Sequence, residues 1–516
     1  MASIKKGISP GLLKSTSFWI MARVFTASVF VWMISVTWGR WSIPGVGTSN
    51  PLMYTNAGNT LFWVVWLMGL VILIPLTGRA WCGVCPVGYL NELVSRWGLA
   101  RPFPRRLRNL YFMALFLFIT VLLLGLWRIH HFPGATAIYL TGWAVIAVFL
   151  GLIFKDRSLC SHICPIGGML GLYSRLSFLG LEVADQDTCR DCDDRECIQG
   201  VHWWGRIGLG RLQWAQRFRR HPCPTGLKVW EMKGAQRCLM CFNCMRVCPH
   251  DNIKLGCRTP LTALWQKGHP RFSETAVVAA LLGFLMLSFL RFWPGLQEIV
   301  AAGPSTLSGL VGTGTMKFIY LGWAGFILPL LLVVSPAVLV RSMGMVSKAD
   351  KEIEPAGSDA SGRFSFRFWI EPSVVYNNSE QDDNGEKILY RESSIKGLTA
   401  SFLPILAPIL LGGHIVLALV KLNAKLPYFF LGLNDPAGIR TFMAVEELGL
   451  INRPEMIFPI SVAKWVSVLV LSWAIFLSLT AARKLSGNEK LPFLPFAMQI
   501  ILIGAIFAGG LQKWLF

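Results

Sequence analysis

Nine apolar runs, each about the length needed to cross a bilayer, divide this chain of 516 residues. They fall near 18–38, 59–76, 109–127, 138–154, 273–290, 314–341, 399–420, 458–481 and 492–513. Only 15% of the residues are charged and 53% are hydrophobic, against about 25% charged in an average soluble domain. The spacing therefore predicts a polytopic α-helical membrane protein. Residues 1–17 are polar and basic, and no small-residue cleavage site follows the first run, so that run is expected to be a retained span.

A formal charge of +21 raises the question of nucleic acid, but the Lys and Arg lie mainly in alternate loops. Loop 77–108 carries Arg79, Arg96, Arg101, Arg105, Arg106 and Arg108, whereas loop 39–58 carries Arg40 alone. The positive-inside rule then places the N-terminus and loops 77–108, 155–272, 342–398 and 482–491 in the cytoplasm, next to anionic lipid. Loop 421–457, with four basic residues, would lie outside and runs against the trend. The expected location is a bacterial inner membrane, and no nucleic-acid partner is expected.

All thirteen cysteines lie between Cys82 and Cys257. Such crowding in cytoplasmic loops speaks for metal ligation over disulfides. Cys238, Cys241, Cys244 and Cys248, followed by Pro249, have the C-x2-C-x2-C-x3-C-P spacing that in two-cluster ferredoxins gives three thiolates to one [4Fe-4S] cubane and the fourth to the other. A looser set, Cys189-x2-Cys192-x4-Cys197 with a distant Cys223, completes the count. Cross-ligation assigns Cys189, Cys192, Cys197 and Cys248 to one cluster, and Cys238, Cys241, Cys244 and Cys223 to the other. Zinc is the competing occupant for Cys189, Cys192 and Cys197. The insertion 198–222, with His202, Trp203, Trp204 and Arg206 followed by Arg211, Arg217, Arg219 and Arg220, reads either as a docking face for an acidic partner or as a segment lying on lipid.

The chain also repeats itself. Cys82-Gly83-Val84-Cys85-Pro86-Val87-Gly88 follows the second span, and Cys160-Ser161-His162-Ile163-Cys164-Pro165-Ile166-Gly167 follows the fourth. Each is followed after six residues by Ser-Arg, at Ser95-Arg96 and Ser174-Arg175. Both turns should emerge on one face of the membrane. Cys82, Cys85, Cys160 and Cys164 are thus candidate ligands for a third cluster or another metal, or paired redox thiols. Cys257 is left over as a bystander. His414 inside the seventh span, with His130 and His131 in the outer loop after the third, are candidate contacts for a quinone or haem, against a plain packing role. Segment 342–398 is polar, with an alternating run at Phe364, Phe366, Phe368 and Ile370, and reads as a small β-containing cytoplasmic element or a linker.

Over residues 15–265 this order of spans, two Cys-Pro turns and two cluster motifs resembles the NapH/NosR family of membrane-bound polyferredoxins. The resemblance implies [4Fe-4S] electron carriers linked to the quinone pool that feed periplasmic respiratory reductases, with related proteins acting in oxidase maturation. It carries over Cys82, Cys85, Cys160 and Cys164 as the membrane-proximal turns, and the other eight cysteines as the two cluster motifs. The first turn has two residues between its cysteines where the family usually has three, and the large periplasmic flavin-binding domain of NosR has no counterpart here. The expected organisation is a four-span region (1–154), a cytoplasmic two-cluster ferredoxin-like segment (155–272), two spans (273–341), the polar element (342–398) and three spans (399–516). The expected function is electron transfer from a cytoplasmic or quinone-pool donor to a membrane or periplasmic respiratory acceptor. A redox or metal maturation factor is the alternative. No acid–base or nucleophile arrangement stands out apart from the cysteines.

Overall fold

The computed structural model describes residues 10–47, 50–104, 107–199, 201–209, 212–220, 223–232, 237–259, 264, 272–306, 312–343, 395–489 and 492–515, with the backbone alone over 201–220. The expected β-element around Phe364 lies outside the described residues. In chain order the main elements are α1 (Thr16–Thr37), α2 (Ala57–Thr77), α3 (Pro86–Val94), α4 (Tyr111–Leu126), α5 (Pro133–Ile153), α6 (Pro165–Tyr173), β1 (Leu179–Val183), β2 (Val201–Leu209), β3 (Leu212–Arg220), β4 (Ile253–Cys257), α7 (Glu274–Leu290), α8 (Gly314–Ser342), α9 (Ile395–Gly432), α10 (Ile460–Gly487) and α11 (Leu494–Leu515). Seven of these helices are long and apolar enough to cross a bilayer: α1, α2, α5, α8, α9, α10 and α11. Two shorter apolar helices, α4 and α7, occupy the other positions where spans were expected.

The differences from the sequence reading are local. Helix α9 runs to Gly432, so the expected outer loop 421–457 begins inside a helix, and its Lys421 and Lys425 ride on the final turns. Lys425 sits 3.8 Å above the Tyr54 ring, a contact that lets a cation continue an otherwise apolar helix. The loop continues with a short helix, Ile439–Phe442, and a π-helical turn, Met443–Glu447. The connection after α7 also holds a helix, Pro294–Ser305.

Helix α7 is the centre of the bundle. Most of its residues are buried, and α4, α8, α9 and α11 pack around it. Lipid offers no hydrophobic drive for helices to associate, so close packing must hold them. At Gly283 the approach is extreme, because a Cβ there would lie 1.9 Å from the Gly325 carbonyl oxygen of α8. Gly283→Leu is expected to destabilise the bundle by roughly 1–3 kcal/mol or more. A thermal-unfolding midpoint equal to wild type in detergent would contradict it.

The two Cys-Pro turns leave the bundle at the same end. There the Leu99 and Arg101 N–H groups donate to the Leu152 and Ile153 carbonyls at the end of α5, at 2.7 and 3.0 Å. Strands β1 and β4 pair antiparallel, Leu179 opposite Cys257 and Val183 opposite Ile253. They form a neck beneath α2, where the Phe178 N–H donates to the Pro75 carbonyl at 2.8 Å. The cysteine-rich segment hangs from this neck. Its apolar centre of Leu181, Leu227, Val229, Met240, Phe242 and Ile253 includes Trp19 from the start of α1, whose ring lies 5.4 Å from that of Phe242. The insertion after Cys197 is an antiparallel hairpin, Leu209 opposite Leu212 and Val201 opposite Arg220.

Candidate iron–sulfur site

The repeated turns have the same construction. A residue at φ +59° (Gly78, then Asp156) reverses the chain at the end of the span. An arginine follows (Arg79, then Arg157), then a one-turn helix carrying the first cysteine, Ala80–Val84 or Ser158–His162. The second cysteine caps α3 or α6, with proline at the first helical position, where its missing N–H costs nothing. Two helix N-termini with their partial positive charge are thereby turned on Cys85 and Cys164, and the Gly167 N–H donates to the Cys164 sulfur at 3.4 Å.

The glycine of each Cys-Pro-x-Gly turn keeps that space open. A Cβ on Gly88 would stand 2.8 Å from the Cys160 sulfur, and one on Gly167 would stand 3.0 Å from the Cys160 carbonyl and 3.3 Å from Arg79 Nη2. Cys82, Cys85, Cys160 and Cys164 lie within electrostatic reach of one another. Asn91 locks the two halves together: its Nδ2 donates to the Ala147 carbonyl at 2.9 Å, and its Oδ1 accepts from the Leu159 N–H at 3.3 Å. Burial raises the Cys85 thiol, raises Cys160 well above the ordinary thiol range and pushes Cys164 up to about 12. Reactive dithiols need the opposite shift. Bound iron would hold these sulfurs as thiolates, as a metal does for a coordinating thiol.

The other eight cysteines line two cavities. Cys223, Cys238, Cys241 and Cys244 line one cavity, with Leu181, Leu227 and Phe242. Cys189, Cys192, Cys197 and Cys248 line another. Met240 and Phe242, at φ +49° and +57°, wind the Cys238–Cys244 loop through left-handed positions that cost an ordinary residue roughly 1–2 kcal/mol each. Such alternation turns successive N–H groups inward, a nest suited to an anionic guest, and the Met240 N–H donates to the Cys238 sulfur at 3.4 Å. Burial pushes Cys238 up to about 12 and Cys197 up to about 11. Among the described residues no three His, Cys, Asp or Glu gather closely enough to hold a single ion.

Asn252 is a site residue that the cysteine pattern does not reveal. Its backbone N–H donates to the Cys248 sulfur at 3.4 Å and its Nδ2 to the Cys189 sulfur at 3.3 Å, while its Oδ1 accepts from the Asp185 N–H. It pins two ligand candidates from distant parts of the chain. Asn252→Ala is expected to weaken this quartet alone, seen as loss of one paramagnetic signal with the others retained; an unchanged spectrum would reduce Asn252 to a turn residue.

The histidines are not brought together. His414 is 2% exposed, its Nδ1 3.3 Å from the Tyr173 hydroxyl at the end of α6 and its ring 5.6 Å from that of Phe284. His130 packs at the opposite end of the bundle, against Trp63 and His131 at 6.2 and 4.3 Å. Burial and neighbouring cations push His130 down to about 3. His414 lies midway along α9, with its side-chain contacts to Tyr173 and Phe284. Cys257 is exposed at the end of β4, away from the quartets.

The family model described as a 4Fe-4S binding domain matches the chain over residues 59–109 and 136–179, the two span-and-turn units. The fold and this match define the class: a helical membrane protein carrying an iron–sulfur domain. The methylamine utilization ferredoxin-type protein MauN of Methylorubrum extorquens is 28% identical over 214 residues, 35% of this chain and 74% of MauN. MauN of Paracoccus denitrificans is 26% identical over 24% of this chain and 49% of its own length. The ferredoxin-type protein NapH of Haemophilus influenzae is 34% identical over 55 residues, 10% of this chain and 19% of NapH. No solved structure gives a significant match. The domain match and the ferredoxin-type relatives support a likeness to the NapH-type membrane polyferredoxins.

Proposed function

We propose that this protein carries electrons through three [4Fe-4S] clusters held in file by Cys189/Cys192/Cys197/Cys248, Cys223/Cys238/Cys241/Cys244 and Cys82/Cys85/Cys160/Cys164. One observation carries this reading: the three quartets are in backbone contact. The Cys223 N–H donates to the Cys197 carbonyl at 3.0 Å, joining the first two. A Cβ on Gly83, between Cys82 and Cys85, would lie 3.4 Å from the Cys241 Cα and 3.0 Å from the Met240 carbonyl, so the second and third abut. A file of redox centres from a soluble segment into a helical bundle suits transfer between an aqueous carrier and the membrane.

The bias of Lys and Arg supports a cytoplasmic position for the cysteine end, in keeping with a bacterial inner-membrane protein. There a cytoplasmic electron donor would meet the outer quartet, and the quinone pool or a respiratory partner with a periplasmic acceptor would be served from the bundle. His414 supports a quinone contact. Its Nε2 is buried without a hydrogen-bond partner among the described residues, and its Nδ1 faces Tyr173 at the far end of the helix that Cys164 caps. His414→Ala is expected to slow quinone-linked electron transfer while leaving iron content unchanged; an unaltered rate returns the residue to packing. Anaerobic purification in detergent tests the whole reading: about twelve iron and twelve acid-labile sulfide per chain are expected for three four-iron clusters. Zinc in place of iron and sulfide would overturn it.

A further inference from the structure

Four arginines crowd the junction between the second and third quartets. Arg23 donates from Nε to the Gly83 carbonyl at 3.2 Å and lies 5.0 Å over the Tyr89 ring. Arg246 donates from Nη2 to the Cys241 carbonyl at 3.2 Å. Arg79 faces Cys164. Arg157, 0% exposed, donates from Nη1 to the Cys82 carbonyl and from Nε to Glu92 Oε2 at 2.7 Å. Its Nη2 is buried with no hydrogen-bond partner among the described residues. Both Cys160 and Cys241 lie within its electrostatic reach.

Among the described residues, the carboxylate that faces this group is Glu92 on α3, and Glu92 also meets Arg96 at 3.6 Å. Buried charges are stable only when compensated. Glu92 alone does not balance Arg23, Arg157 and Arg246, whereas clusters with thiolate ligands, which carry net negative charge, would. The repeat makes the arrangement systematic. Arg79-Ala80-Trp81-Cys82 and Arg157-Ser158-Leu159-Cys160 put an arginine three residues before the first cysteine of each turn, and both side chains are buried.

We propose that Arg157, with Arg79 opposite and Glu92 as counterweight, sets the reduction potential of the cluster at Cys82/Cys85/Cys160/Cys164 and couples it to the neighbouring cluster through Cys241. The inference rests on the proposed third cluster. Reduction adds one electron, supplied by the donor that feeds the file, and makes the cluster one unit more negative. A fixed cation within electrostatic reach of a ligand sulfur favours that reduced state, since cluster potentials follow net charge. Glu92 opposes it and tempers the cation. Arg157 touches ligand residues of one quartet and reaches a ligand of the next, so a change of charge on either side is felt on the other. It acts as a positioning and tuning residue.

The test is potentiometric EPR on the intact protein in detergent, with iron and sulfide measured on the same samples. Arg157→Gln is expected to lower the reduced-to-oxidised ratio of the third cluster at least tenfold at a fixed ambient potential, about 59 mV for one electron. Arg79→Gln should act in the same direction. Glu92→Gln should move the ratio the opposite way, and Arg157→Lys should restore most of the wild-type value. A structural role predicts no such reversal of sign. If Arg157→Gln loses the cluster, Glu92→Gln and Arg79→Gln decide the matter with the arginine in place. Unchanged potentials, or shifts of the same sign in Glu92→Gln and Arg79→Gln, with about twelve iron retained, would overturn this inference. About eight iron in the wild-type protein would instead overturn the third cluster itself.

Discussion

Replacing Cys160 with serine is expected to cut iron and acid-labile sulfide from about twelve to about eight per chain, removing a whole four-iron cluster. Quinone-linked electron transfer should fall to background, because the lost cluster is the one that reaches the bundle. The effect should be large because this sulfur has no substitute nearby. Gly88 is bare beside it, where a Cβ would stand 2.8 Å from the sulfur, and the quartet has no fifth cysteine, the unused Cys257 being exposed at the far end of β4. Serine offers a harder oxygen, poorly matched to a site suited to thiolates. Cys257→Ser is the control and should leave iron content untouched. Wild-type iron in Cys160→Ser would show that the paired turns hold no cluster.

Cys241→Ala should be nearly as severe, removing about four of the twelve irons and breaking the file in its middle. Its more telling consequence is a pattern of matched losses. Cys241→Ala and Cys223→Ala should extinguish the same paramagnetic signal, although nearly a whole motif separates them. Cys248→Ala should instead extinguish the signal lost in Cys189→Ala, although Cys248 belongs by sequence to the motif of Cys241. With the middle cluster gone, the third should still form but be reduced far more slowly by a soluble donor. Signals that followed the linear motifs would contradict both the cavities and the cross-ligation.

The spacing of Cys238, Cys241, Cys244 and Cys248 made a ligand motif legible, because short turns leave few ways to converge. The paired Cys-Pro turns were equally legible, since a repeat of turn and offset Ser-Arg is a local pattern. Arg79 and Arg157 were legible in principle, three residues before a cysteine in both repeats, but loop arginines read first as topology signals. Asn252 carried no local signal, because its role depends on the fold bringing Cys248 beside Cys189. Strands β1 and β4 are equally hidden: five residues each, they exist only through pairing across the whole cysteine segment. The bounds of α9 were misjudged because Lys421 and Lys425 read as loop residues. A long helix that leans Lys425 on Tyr54 and Tyr428 keeps its periodicity past the apolar run.

The neck formed by β1 and β4 has a consequence for how such a protein is put together and how it diversifies. Val183 and Ile253 lie side by side, so the chain between them leaves and returns at one point and imposes no route on the helices above. That makes it a cartridge. Another redox module with closely spaced ends could take its place without re-threading a single span, provided that it presents backbone to Gly83 and a counter-charge to the arginines waiting there. The same geometry orders biogenesis. The membrane-side quartet draws its sulfurs from turns on either side of α4 and α5, so it is complete only after four helices have been inserted. The cartridge can gather its eight ligands afterwards, from one continuous stretch of chain.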